Sequence, residues 1–490
     1  MQLEIIKENL ITALINPVKS MRVKYLPLLM VYFSYGALGL TSVAERFWIK
    51  ESLSFTPADM ASIGVWLTLP WTIKMVFGQL VDCVTIFGSQ RKIYIFIGAG
   101  LVACGLILLS GAASGWLAFI AVETAFLVAK IIITIGTVLQ DVVADAISTE
   151  VVARTDENGN PRDKMAINTD LGMVQILGRL ALSFGVFSVA GVAGWLAQSI
   201  SYDKIFLIAL IIPVISVTGA LLVNVETVEK QPIDWRIMGD GLVFGLMVLL
   251  LGSLEVTYAQ ELIFIVSIVT IVTLLKLLTE SLDQKIRQQI MVAAIIIFIF
   301  RAMPSVGEGQ QWWMIDILGF DQAFFGTLGQ ISAGLSMLAM WMFSSAITHK
   351  KVTFVLFWIT VITAVLALPI LGLYFGLHEW TQAQFGFGAR TIALVDTALE
   401  SPFSQLSMIP MLTLIAIYAP AGKRATWFAL MASLMNLALV AGGLFTKYLN
   451  MTFVVERQQY DELGLLMIIV TAIGFSIPVA AIVLLGKKID

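Results

Sequence analysis

The stretch WTIKMVFGQLVD, residues 71–82, identifies the solvent in which this chain folds. It belongs to an apolar run long enough to cross a bilayer, yet Lys74 lies inside it and Asp82 ends it. A lysine near the centre of a membrane helix costs about 2.5–3.5 kcal/mol, so such a residue is kept where water, a partner or a solute meets it. The rest of the chain reads the same way. Of 490 residues, 59% are hydrophobic and 13% charged, about half the charge of a soluble chain, and the mean hydropathy is +0.91. This is the composition of an integral membrane protein.

Several classes drop out. A net charge of −3 suggests no nucleic-acid partner. Cys83 and Cys104 have no metal or disulfide spacing and read as packing residues. His349 and His378 fall in predicted loops on opposite sides, so no metal site is expected, and no cofactor motif appears. The near absence of histidine removes the commonest general base, which argues against an intramembrane enzyme; a receptor is the other remote alternative. Residues 1–24 lack the continuous apolar core of a signal peptide. Leu3, Ile6, Leu10 and Leu14 suit a cytoplasmic amphipathic segment lying on the membrane, or else a frayed tail.

Apolar runs of spanning length fall at 25–49, 58–82, 92–113, 116–148, 165–195, 203–224, 237–255, 259–280, 287–316, 322–345, 352–376, 389–419, 425–449 and 462–486. This predicts an all-α membrane protein of about fourteen helices. Lys19, Arg22, Arg91, Lys92, Arg154, Lys230, Lys285, Lys350, Lys423 and Lys487 fall on one side, which places both termini in the cytoplasm of a cell (inner) membrane protein. The organisation reads as a six-helix bundle at 25–224, a linker with an inserted hairpin at 225–285, and a second six-helix bundle at 286–490. Two such halves are the plan of major facilitator transporters.

Polar residues mark a path through these helices. Glu123, Lys130, Thr134, Thr137, Asp141 and Asp145 fall within about 40° of one line on helix four, at 100° per residue. A wet stripe on an apolar helix faces a protein cavity, or else forms a salt-bridge ladder between helices. Gln175, Arg179 and Ser183 share a face, as do Arg301, Ser305, Glu308 and Trp312, and then Asp396, Glu400 and Ser407. Rise per residue puts Lys130, Arg179 and Arg301 near the midplane and Lys74 nearer the cytoplasm. Glu45, Glu123, Glu308, Asp396 and Glu400 fall in the outer half, and Asp141 and Asp145 in the inner third. The candidate substrate-binding set is therefore Lys74, Lys130, Gln175, Arg179, Arg301, Glu308, Trp312, Asp396 and Glu400. Glu45, Glu123, Asp141 and Asp145 are the candidates for proton coupling, since closely spaced carboxylates hold protons readily. Lys74 can instead snorkel to the inner interface or pair with an acid. Gly78, Asp82, Gly88, Arg91 and Lys92, with Arg154 after helix four, read as a cytoplasmic latch in which Gly78 permits close helix approach and Arg91 pairs with an acid.

Four stretches carry a resemblance. LPWTIKMVFGQLVDCVTIFGSQRKIYI (69–95), LQDVVADAISTEVVAR (139–154), AMPSVGEGQQWWMIDILGFDQAFFG (302–326) and SMIPMLTLIAIYAPAGKRATWFALMASLMN (407–436) resemble the folate–biopterin transporters, a branch of the major facilitator superfamily. The family's acid after Pro-Ser is here Gly307 with Glu308 beside it, its proline–glycine–acid turn is Pro420 to Lys423, and the hairpin 237–280 is additional to the usual twelve helices. The resemblance implies proton-coupled transport of a folate, pterin or other organic anion by alternating access. Muropeptide permeases, with a similar helix four, are the nearest rival. A pterin offers adjacent N–H donors to a carboxylate, a folate tail offers carboxylates to Arg or Lys, and Trp71, Trp312 and Trp313 offer stacking surfaces. The expected partners are the solute, protons and the lipid bilayer.

Overall fold

The computed structural model describes residues 21–489 apart from 90, 156–159, 223–234, 255, 257, 281, 349–350, 407 and 418–423. The amphipathic segment before residue 21, His349 and Ser407 lie outside these residues. In chain order the helices are α1 Val23–Ser52, α2 Pro57–Cys83, α3 Lys92–Ala113, α4 Val122–Glu150, α5 Lys164–Ser199 and α6 Tyr202–Leu222. Then come α7 Trp235–Ser253, α8 Ala259–Thr279, α9 Gln284–Arg301, α10 Glu308–Asp316, α11 Gln322–Thr348 and α12 Val352–Tyr374. The series ends with α13 Leu377–Phe385, α14 Ala389–Leu406, α15 Met408–Ile417, α16 Arg424–Thr452 and α17 Leu463–Leu485. Among the described residues the only extended pairings are isolated bridges such as Ile86 with Ser89. Eleven helices there are long and apolar enough to cross a membrane.

Local chemistry explains the starts and breaks. Thr56 caps α2 by accepting from the Asp59 N–H at 3.1 Å while Asp59 accepts from the Thr56 N–H at 2.9 Å, with Pro57 leading the first turn. Pro70 removes a ladder donor inside α2, and the helix leaves regular geometry at Ile73 before resuming at Lys74. The run 287–316 reads as one helix in sequence but forms two. Pro304 cannot continue the ladder, and Gly307, at φ 86°, occupies a conformation that favours glycine. Arg301 and Glu308 therefore flank a break instead of sharing one continuous face. His378 lies in α13, not in a loop.

Packing divides the chain into two compact units, each interrupted in sequence. Unit 1 comprises residues up to 53, 76–238 and 322–342; unit 2 comprises 54–75, 239–321 and 343–490. The division falls inside α2, so Lys74 belongs to unit 2 and Gly78 to unit 1. In unit 1, α3 and α4 approach closely. A Cβ on Gly98 would lie 2.7 Å from the Gly136 carbonyl oxygen, and one on Gly136 2.5 Å from that of Gly98. Where lipid is as apolar as leucine, such small-residue contacts supply the packing that hydrophobicity does not.

Among the described residues of unit 2 is a buried apolar cluster with Val65 and Leu69 of α2, Ile263, Ile271 and Leu275 of α8, and Trp427, Leu434 and Leu437 of α16. The α7–α8 hairpin is thus part of the core of unit 2. Gln260 donates to the Ser62 carbonyl and hydroxyl oxygens, both at 2.8 Å. Lys447 donates to Glu261 at 2.8 Å.

Candidate functional site

In unit 1 the α4 stripe meets partners from three other helices. Lys130 Nζ donates to Glu45 Oε2 at 2.7 Å, and Thr41 donates to the other oxygen of that carboxylate at 2.5 Å. About four turns on, Asp145 accepts from the Tyr32 hydroxyl at 2.8 Å. Gln175 donates to Ser148 at 2.6 Å. Between these pairs lies a cavity of about 20 Å³, enough for one water molecule, lined by Tyr32, Tyr35, Thr137, Gln140, Asp141 and Ser216. Ser216 donates to Gln140 there. Asp141 is buried, Glu123 half-buried, and Arg179 exposed on α5, near enough for its charge to act on Tyr32. Arg179 sits within a membrane-length apolar helix, so it requires water or an anion in front of it.

The loop after α2 holds a cluster of paired charges. Arg91, 7% exposed, reaches three acceptors: Glu150 at 2.6 Å, Asp82 at 2.7 Å and the Val81 carbonyl at 3.0 Å. Burial works against its charge, but the bonds to Glu150 and Asp82 outweigh that and hold the guanidinium above its ordinary value. The turn between the two helices has Phe87 at φ 50° and Gly88 at φ 74°. Lys92 begins α3, and Arg154, exposed, donates to the Thr149 carbonyl at 3.4 Å. The expected pairing of Arg91 with an acid is present. The close approach expected at Gly78 is not, because a Cβ there would meet no described atom within 4 Å.

Unit 2 gathers its polar groups around the α9–α10 break. The Ser305 N–H donates to Thr446 Oγ1 at 2.9 Å, and Asn450 donates to the Val306 carbonyl at 3.1 Å. Both partners come from α16, so backbone groups freed by the break are satisfied by side chains. Arg301 ends α9 half-buried, and Glu308 opens α10 half-buried. Lys74, half-buried, sits where α2 resumes. On α14, Asp396 is 4% exposed while Glu400, one turn later, is exposed.

The tryptophans differ in what they leave open. Trp312 is fully buried, and the Arg457 guanidinium lies 4.5 Å from its ring centroid, so its face is already occupied. Arg457 also donates to the Phe55 carbonyl at 2.9 Å. Trp313 is buried against Tyr374. Trp71 is half-buried, and its carbonyl accepts from Asn436.

Sequence reasoning overlooked Tyr32, Ser148, Glu150, Thr446 and Asn450. Glu150 had a signal, an acid at the end of the polar helix four. The others look like ordinary helix residues until their partners, from 27 to 144 positions away, are known.

The model of the BT1 family matches residues 36–490. A folate-biopterin transporter from Synechocystis sp. is 26% identical over 452 residues, covering 91% of this chain and 78% of that protein. Folate transporter 1 of Plasmodium falciparum is 22% identical over 440 residues, covering 89% of this chain and 74% of that protein. Among solved structures, a POT family transporter in complex with 5-aminolevulinic acid superposes with a TM-score of 0.69 at 12% identity, over 95% of this chain and 96% of that one. The nucleoside transporter NupG superposes at 0.64 and 11% identity, over 94% and 99%. At such identities the structural likeness speaks to the fold alone.

Proposed function

We propose a substrate and a driving force for this chain, which belongs to the BT1 family and is a multi-pass membrane solute transporter, not an enzyme. The substrate is a folate or pterin, and the driving force is a proton gradient spent by alternating access. The observation that carries the reading is the family match over residues 36–490, joined to Arg179 standing exposed on a membrane-length helix. Two relatives are named for folate or folate and biopterin. In unit 1, Arg179 and Lys130 suit the carboxylates of a folate tail, with Gln175 beside them. In unit 2, Arg301 and Lys74 offer further cations, and Glu308 and Glu400 offer acceptors for pterin N–H groups. The α4 carboxylates Glu123, Asp141 and Asp145, with Glu45, are the proposed proton-handling groups of unit 1. The loop Asp82–Lys92, together with Glu150 and Arg154, is the proposed cytoplasmic latch. The reading includes two six-helix bundles with α7–α8 inserted between them, an inner-membrane location and both termini in the cytoplasm.

Uptake of labelled folate and of a labelled pterin into liposomes holding the purified chain tests this. Accumulation is expected with an inward proton gradient and is expected to collapse when the gradient is dissipated or when Arg179 is replaced by alanine. Failure of both solutes to cross under any gradient would remove the substrate assignment.

A further inference from the structure

We infer that Asp396 of α14 is a proton-binding site of unit 2, a group that is protonated and deprotonated once in each transport cycle. The inference rests on the proton-coupled reading above and names a residue for it outside helix four. Glu45 accepts from Lys130 and Thr41, Asp145 from Tyr32, and Glu261 from Lys447 and Tyr448. Glu123, Asp141 and Glu308 each interact with another residue as well. Asp396 differs. It is 4% exposed and has no ion-pair partner among the described residues; its Oδ1, like Oε2 of the Lys447-paired Glu261, is shut off from water without a hydrogen-bond partner there.

Among the described residues, the helices packed against α14 carry no lysine or arginine. α14 packs against α12, α13 and α15. The titratable groups on those helices are Tyr374 of α12 and His378 and Glu379 of α13, and α15 has none. The Tyr374 hydroxyl is committed to the carbonyls of Tyr460 and Asp461. On α14 itself Arg390 is paired with Asp321 at 2.6 Å. The charge that acts on Asp396 is that of Glu400, of the same sign and one turn away. A carboxylate taken out of water without a donor is costly, and a like charge adds to that cost. With no solute bound, two escapes exist: a metal ion or a proton. A metal needs several ligands, and the described residues contain no cluster of three or more metal-binding side chains. A proton needs one carboxylate. Asp396 takes it as the free carboxyl when buried and returns it to water when that face of α14 becomes wet, with no other bond made or broken.

Two measurements test this, and they fail separately. Full-length protein in liposomes is treated with dicyclohexylcarbodiimide at pH 6 and at pH 8, and its peptides are mapped by mass spectrometry. The reagent modifies protonated carboxyls in apolar surroundings. An adduct on Asp396 that is stronger at pH 6 is expected, whatever the solute. Labelling confined to other carboxylates overturns the inference and leaves the substrate assignment intact. The second readout is the pH profile of folate exchange without a gradient. Wild-type exchange is expected to change about tenfold per pH unit over part of the range, the slope of one titrating proton. Asp396→Asn is expected to give slower exchange with a flat profile, and Asp396→Glu to restore the slope. A wild-type slope in Asp396→Asn overturns the inference even if folate transport is established. An Asp396 adduct in a protein that moves no folate or pterin sinks the substrate and keeps the proton site.

Discussion

Replacing Glu150 with alanine probes how the loop between α2 and α3 is held. The Arg91 side chain is 8% exposed, that of Glu150 14% and that of Asp82 48%. Glu150 receives two guanidinium N–H groups on Oε1, from Nη2 at 2.6 Å and Nε at 3.0 Å. Its loss leaves a buried guanidinium short of its main counter-charge, and breaking a buried pair this way costs about 3–5 kcal/mol. Asp82 faces water on nearly half its surface, so solvent replaces much of what it contributes, and its loss costs about 0.5–1 kcal/mol. For a unit of this size each kcal/mol moves the melting temperature by about 2–4 °C. Glu150→Ala is therefore expected to melt about 6–20 °C below wild type and Asp82→Ala within about 4 °C of it. The assay is thermal unfolding of purified protein in detergent, followed by tryptophan fluorescence. Adding Arg91→Ala to Glu150→Ala should cost much less than the two single changes summed, because the second removes a charge already stranded. If Asp82→Ala destabilises as much as Glu150→Ala, or if the double variant is additive, burial is not what sets the strength of this loop.

Asn450→Ala leaves the Val306 carbonyl without its donor at the α9–α10 break, a cost of about 1–3 kcal/mol; melting and folate uptake should fall together, and unchanged uptake would detach the break from transport. Tyr460 donates to Asp316 at 2.5 Å, and burial with that bond holds its phenol above the ordinary value of about 10. The native state then keeps a proton that the unfolded chain loses, so this stabilisation is complete below about pH 10 and declines as pH rises towards the folded value. The melting difference between wild type and Tyr460→Phe should accordingly be constant from pH 7 to 9 and shrink at pH 11, whereas a constant difference throughout would contradict it. Lys74→Ala should lower uptake of anionic solutes strongly, with Lys74→Arg restoring part of it, because a guanidinium is larger and forks its donors. Normal uptake by Lys74→Ala would leave Lys74 a snorkelling residue.

The helical class of the protein was legible because hydropathy is a local property. Each apolar run in the chain coincides with a helix or a pair of helices. The α9–α10 break was half legible: Pro304 and Gly307 stand in plain view, but proline alone does not say whether a membrane helix bends or ends. That depended on Thr446 and Asn450 of α16 being present to take the freed backbone groups. That Arg91 pairs with an acid was legible, and Asp82, nine residues away across one turn, is one of its partners. Glu150, 59 residues away, was not.

Composition and periodicity established that this chain lives in a bilayer, where its helices run, and that charged groups such as Lys130 and Asp396 had to face something other than lipid. Those conclusions rest on the cost of placing a charge in hydrocarbon, which depends on the residue and its neighbours in sequence. Which partner each charge found came from packing. Lys130 met Glu45, while Asp396 met no hydrogen bond at Oδ1. The hairpin that looked like an appendage is fastened to the core of unit 2 by Glu261 and Gln260. Such pairings depend on the rotation and depth of each helix against its neighbours. A shift of one residue turns a side chain by 100° and moves it 1.5 Å along the axis, so long-range partners are fixed by the assembled helices and not by any stretch of sequence.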